Sequence, residues 1–253
     1  MRRPTLADTA PPKTPVLIGA VSLCLLVGAL YLALTAPPDQ QQGEAAKLLF
    51  VHVPSIITAY IAYGIGLISA IWYLIRRSMA ADRISSSAIE IGVLFTAITL
   101  ATGMIWGRYV WGVWWDWGDA RMISTSVLFF LYLGYLALRR AIQDPRIRAG
   151  RCAVLGIVAF VQVPIVHYSV LWMRTLHQGP TIIRPDLANS TVDSEFGLPL
   201  GVSILAFLSL LLFLMSARVR VTSLEDDLSR RLGTDQPVGA LIVPPRLQGE
   251  NGG

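Results

Sequence analysis

The sequence predicts an all-α integral membrane protein: a bundle of six transmembrane helices, both termini cytoplasmic, with a tryptophan-rich outer loop between helices 3 and 4. Three observations carry this. Hydrophobic residues make up 54% of the chain and charged residues only 15%, with a mean hydropathy of +0.57, whereas an average soluble domain is about 25% charged. Six stretches approach the ~20 apolar residues a helix needs to cross ~30 Å of hydrocarbon. Basic residues, finally, gather on alternate loops.

The spans cover 16–36, 48–75, 89–107, 122–138, 152–172 and 198–217, with one internal carboxylate, Glu90, at an edge. The first is long and lacks a small-residue cleavage site after a short core, so it reads as a retained helix rather than a removed signal peptide. The ten-residue alternation of an outer-membrane barrel is absent. Residues 1–217 thus form the membrane domain. Residues 218–253 read as a cytoplasmic tail, a short amphipathic segment followed by Pro/Gly-rich sequence too poor in apolar side chains to order itself.

Orientation follows from Lys and Arg. One side carries Arg2, Arg3 and Lys13, then Arg76, Arg77 and Arg83, then Arg139, Arg140, Arg146, Arg148 and Arg151, and finally Arg218, Arg220, Arg230, Arg231 and Arg246. The other has Lys47, Arg108, Arg121, Arg174 and Arg184. The positive-inside rule puts the first side in the cytoplasm. Topology also accounts for the net charge of +5, so no nucleic-acid partner is implied. Cys24 and Cys152 stand on no metal or redox spacing. No CxxCH is present, so the chain is not itself a c-type cytochrome.

The outer loop holds five of the seven tryptophans within twelve residues, from Trp106 to Trp117. Indole presents a rigid apolar face and one N–H, and such a density on one side suits a flat, largely hydrophobic ligand near the membrane surface. Isolated interfacial tryptophans form belts with no ligand at all, but five in one short run exceed what a belt needs.

The histidines narrow the chemistry. His52 lies at the outer entrance of helix 2, with Pro54 suited to a first helical turn, and His177 lies in the outer loop after helix 5. Imidazole is a common ligand of haem iron, and two from different segments can clamp one iron. His167 is ten residues before His177, which in a continuous helix sets them ~15 Å apart and ~80° out of phase. His52 with His177 is therefore the better axial pair, and His167 either tunes the site or is a satisfied structural histidine. Haem carries two carboxylates, which Arg matches with a bidentate fork. Arg121, Arg108, Arg184 and Lys47 are the outer cations available for this, Arg121 first because it belongs to the tryptophan loop. Its neighbour Asp119 either joins the site or forms a solvated ion pair with it.

The run Trp111-Gly-Val-Trp114-Trp115-Asp116-Trp117-Gly118-Asp119-Ala120-Arg121 resembles the "WWD" signature of the haem-handling proteins of cytochrome c maturation, and within them is most similar to the CcmC family. Gln41-Gln42-Gly43 with His52-Val53-Pro54, the stretch from Pro164 through His167, and Thr175-Leu176-His177-Gln178-Gly179 add to the likeness, which spans roughly residues 40 to 215. The resemblance implies haem b held non-covalently and transiently at the outer face of the cytoplasmic (inner) membrane. Trp111, Trp114, Trp115 and Trp117 would be its platform, and His52 and His177 its ligands. It implies hand-over to the haem chaperone CcmE, with CcmD and the ATP-binding cassette subunits CcmA and CcmB as further partners. The chain has no phosphate-binding loop of its own and is expected to act as a membrane chaperone, not an enzyme.

One departure stands out. The family pattern reads Trp-Trp-x-Trp-Asp-x-Arg, whereas here Gly118 separates Trp117 from Asp119. Either Gly118 forms a bulge that restores the geometry, or Asp116 takes over part of the role of Asp119. Two other classes compete. A cytochrome b-like electron carrier usually needs four histidines on transmembrane helices, and a small-solute permease needs polar residues at mid-membrane, often in repeated halves. Three histidines and nearly apolar spans fit both less well.

Overall fold

The structure, a computed structural model, describes residues 13–177 and 194–232. It is built of α1 (Lys13–Thr35), α2 (Leu49–Arg76), α3 (Met79–Val110), α4 (Ala120–Ala141), α5 (Pro145–Phe160), α6 (Gln162–Trp172) and α7 (Ser194–Leu232). Among the described residues, six helical units are long and apolar enough to cross a membrane, with α5 and α6 together making one of them. The chain is thus a multi-pass membrane protein.

The helices start and stop where the sequence offers caps. Asp119 caps α4, accepting from the Met122 N–H, and Asp144 caps α5, with Pro145 in its first turn. Arg77, at φ 54°, closes α2 in the left-handed conformation. The expected span 152–172 is interrupted. Pro164 has no N–H to return to the Phe160 carbonyl, and the chain tightens at Val161, whose N–H bonds to Val158 at 3.2 Å, before α6 begins. The second span starts within one residue of its expected position: a 3-10 turn over Glu44–Leu48 feeds α2 from Leu49, so His52 lies in the first turn of α2 and Pro54, expected in that turn, lies just beyond it.

Several helices overrun their apolar windows because their polar ends are paired. Arg139 of α4 grips the buried Asp82 of α3 through two bonds of 2.8 and 2.7 Å. Arg218 of α7 binds Glu90 of α3, and Arg83 reaches Asp226 at 3.1 Å. With these partners α7 runs unbroken past position 217. Breaking the first pair on one side strands a buried charge: Asp82→Asn is expected to cost about 3–5 kcal/mol. Unfolding of the detergent-solubilised protein checks this, and Asp82→Asn with Arg139→Met should recover most of the loss.

Between the helices, packing rather than hydrophobicity must provide cohesion, since lipid is as apolar as the side chains. At the centre Tyr63 of α2 stacks on Tyr132 of α4, centroids 3.9 Å apart and nearly parallel. Such a pair contributes about 0.5–1.5 kcal/mol beyond its area. Gly92 of α3 admits the Tyr63 ring, because a Cβ there would lie 2.5 Å from it. The Tyr63 hydroxyl meets Thr96 at 2.9 Å. Phe50 stacks on Phe196, tying the start of α2 to that of α7. This frame holds the first turns of α2, the last of α3 and the first of α4 together at one end of the bundle.

Candidate functional site

A cavity of about 280 Å³ lies at that end. His52, His167, His177, Trp106, Trp111, Trp115, Tyr60 and Arg121 all line it, with apolar walls from residues such as Val53, Leu100 and Met104. Three histidines distant in sequence thus face one space.

His52 is fixed from α3. Its Nδ1 lies 3.1 Å from the Thr102 hydroxyl, which itself donates to the Ile98 carbonyl at 2.7 Å. With that proton committed, the hydroxyl oxygen accepts from the ring, so Nδ1 carries the hydrogen and Nε2 keeps the lone pair. Gly103 lets the ring lie against the α3 backbone; a Cβ there would stand 2.9 Å from Cε1. Trp106 meets the ring edge-on at 5.7 Å and donates its own N–H to Gln42 Oε1 at 2.8 Å.

His177 is fixed from Asp119. One carboxylate oxygen caps α4; the other accepts from the Leu176 N–H at 2.6 Å, the Thr175 hydroxyl at 2.7 Å and His177 Nδ1 at 3.2 Å. The same side chain therefore starts α4 and pins the 175–177 segment beside it. Burial alone would raise the Asp119 pKa, but the bonds from Met122, Leu176 and Thr175 and the nearby imidazole outweigh it and hold the carboxyl below its ordinary value. His177 is lowered from 6.5, by burial first, with Arg121 acting in the same direction and the Asp119 charge opposing. The result is a neutral imidazole whose Nδ1–H faces a carboxylate and whose Nε2 is available, the arrangement seen at metal-ligating histidines.

A proton competes with a metal for Nε2 only below the pKa of the ring. Because the folded value lies below 6.5, ligation by His177 is expected to be constant from roughly pH 8 down to that point and to fall only beneath it. The same sign holds for stability, since below 6.5 the unfolded chain takes up the proton first. A ligand titration followed by absorbance across this range checks the onset.

The tryptophan run divides in two. Trp111 packs against His177 at 4.8 Å, and Trp115 lines the cavity with its N–H buried and without a hydrogen-bond partner among the described residues. Trp114 and Trp117 turn outward, 56% and 80% exposed. Gly112, at φ 76°, makes the turn between these orientations, and Arg108 holds it by donating to the Gly112 carbonyl. Arg108 thus serves the loop, and Lys47 is likewise engaged, with Glu44 at 2.9 Å and the Leu34 carbonyl at 3.0 Å. Among the described residues, Arg121 alone of the named outer cations lines the cavity, donating to the His167 carbonyl at 3.3 Å. Arg184 lies outside the described residues.

Asp119, and not Asp116, is the carboxylate against His177. Gly118 has no positive φ; its N–H bonds to Asp116 Oδ1 at 2.7 Å in a turn closed by Asp119 N–H to the Asp116 carbonyl at 3.1 Å. Asp116 thus shapes the inserted turn, and Asp119 keeps the histidine. Tyr60 and Thr102 were not singled out from the sequence, nor was Trp106 as a contact of His52. Helical spacing carries a signal for two of them, since Thr99, Thr102 and Trp106 share one face of α3 with Gly103.

The residues present suit haem: two imidazoles with free Nε2, an arginine for a carboxylate, and aromatic and aliphatic walls. The volume is just below the ~300–1,000 Å³ of sites that enclose a whole small molecule. A macrocycle would therefore be gripped with part of its edge outside, towards the exposed tryptophans.

Comparison with known proteins agrees. The family model described as Heme exporter protein C matches residues 3–233. Heme exporter protein C of Bradyrhizobium diazoefficiens is 37% identical over 230 residues, covering 88% of this chain and 86% of that protein. The protein of the same name from Haemophilus influenzae is 38% identical over 219 residues, covering 86% and 88%. That from Escherichia coli K12 is 38% identical over 185 residues, covering 73% of each. A membrane bundle whose histidine cavity is walled by the tryptophan loop, matched along almost its whole length, belongs to the Heme exporter protein C family, and its role is haem handling for cytochrome c maturation.

Proposed function

We propose that the chain binds haem b, non-covalently and transiently, at the outer face of the cytoplasmic membrane and presents it to the haem chaperone CcmE. One observation carries this: His52 and His177 line the same cavity, each with Nδ1 engaged and Nε2 available. They are the axial ligands. Trp111 and Trp115 are the inner platform, Arg121 takes a haem carboxylate, and His167 lies beside it. Trp114 and Trp117, outside the cavity, are the surface on which CcmE docks. No bond chemistry is assigned to the chain's own residues, so it acts as a chaperone and not as an enzyme. CcmD and the ATP-hydrolysing pair CcmA and CcmB complete the assembly.

The division of the tryptophans gives the test. Trp114→Ala with Trp117→Ala is expected to leave the haem absorption of the purified protein intact while reducing co-purification of CcmE at least about tenfold, as for loss of aromatic hot spots. Trp111→Ala with Trp115→Ala should do the reverse to haem. Undiminished CcmE binding by the first variant would overturn the docking assignment. A colourless wild type would overturn haem binding.

A further inference from the structure

The opposite end of the bundle carries a second concavity, an open groove of about 670 Å³ on the lipid-facing side of α2, α4 and α5. Its walls are apolar, from Leu74, Leu138 and Val154 among others, and its rim is Arg77, Arg146 and Arg151. None of the three arginines has an ion-pair partner among the described residues, in contrast to Arg83, Arg139 and Arg218 nearby in the fold. Asp144 is the adjacent carboxylate, and it is spent on capping α5, accepting from the Arg146 and Ile147 N–H groups at 2.8 Å.

The rim is also held in place. The Tyr73 hydroxyl donates to the Arg146 carbonyl at 3.2 Å, fastening the α4–α5 connection to α2, while the Arg77 guanidinium lies over the Tyr73 ring at 5.8 Å. One buried tyrosine thus positions two of the three cations. Arg77 is further fixed by its left-handed backbone at the end of α2.

In a bilayer such a groove is covered by lipid, and the rim decides which. We infer that it is a site for an anionic diacyl phospholipid, its phosphate among Arg77, Arg146 and Arg151 and an acyl chain along Leu74, Leu138 and Val154. Three guanidiniums without carboxylate partners at the membrane interface favour a negative headgroup over a zwitterionic one, and a concave apolar wall rewards the attached chain in a way a soluble phosphate cannot exploit.

Native mass spectrometry of the full chain in mild detergent tests this, with phosphatidylglycerol and phosphatidylcholine of identical acyl chains offered in equal amounts. The wild type is expected to retain phosphatidylglycerol with a preference of about tenfold. The variant Arg77→Gln, Arg146→Gln, Arg151→Gln should show nearly no preference, and the corresponding triple Lys variant should keep part of it. Because these residues are far from the histidine cavity, an unchanged haem spectrum and melting temperature verify that the variants are folded. Millimolar inorganic phosphate should not displace the lipid. Equal retention of the two lipids by the wild type, an undiminished preference in the Gln variant, or displacement by phosphate would each overturn the proposal.

Discussion

Replacing His52 and His177 together by alanine is expected to lower the haem that co-purifies with the protein at least about tenfold, the lower bound set by what loss of a mere supporting group costs a metal site. Each single variant should keep some haem but change its spectrum, because one of the two proposed axial ligands is gone. The reason is structural. The rest of the lining is apolar, aromatic, cationic or neutral polar, and His167 is its one other imidazole. His167 gives the third arm: His167→Ala is expected to shift the spectrum less than either of the others, since Tyr60 and Tyr168 meet its ring edge-on at 6.3 and 4.8 Å. Spectra of the three variants, normalised to protein, decide the ranking. A spectrum that collapses on His167→Ala and survives the other two would exchange the assignments.

The second large effect belongs to Asp119, which does not itself line the cavity but holds His177, Leu176 and Met122, which do. It is 1% exposed and ties the first turn of α4 to the 175–177 segment. Asp119→Asn preserves shape but removes the charge and exchanges one acceptor oxygen for an N–H₂ donor. That donor cannot accept from the cap or, if turned round, from Leu176, Thr175 and His177. Haem affinity is expected to fall about 10–100-fold through the misdirected imidazole. Asp119→Ala adds loss of the helix cap, about 1 kcal/mol. Haem titration measures the first and thermal unfolding the second. Affinity within about twofold of wild type for Asp119→Asn, against the expected tenfold or more, would show that His177 is oriented by something else.

What the sequence disclosed follows from the range of the forces involved. Span number was legible because hydrocarbon demands ~20 apolar residues whatever the neighbours do. Helix ends were not, because the extension of α3 back to Met79 carries Asp82, whose buried charge is paired by Arg139 on another helix. The residues of the site were legible as types: scarce histidines, clustered indoles, one loop arginine. Their pairing was hidden, since Thr102 lies 50 residues from His52 and Asp119 lies 58 from His177. The splitting of the tryptophans depends on the backbone at Gly112, which composition does not show.

The central claim, that Nε2 of His177 and of His52 hold the iron, is tested most directly by chemical rescue. In His177→Gly the space left beside Trp111 and Asp119 can admit free imidazole. Titrating imidazole into the haem-loaded variant is expected to restore the wild-type absorption spectrum in a saturable manner, while the same addition leaves the wild type unchanged. A His177→Gly spectrum already identical to wild type before imidazole is added would contradict it.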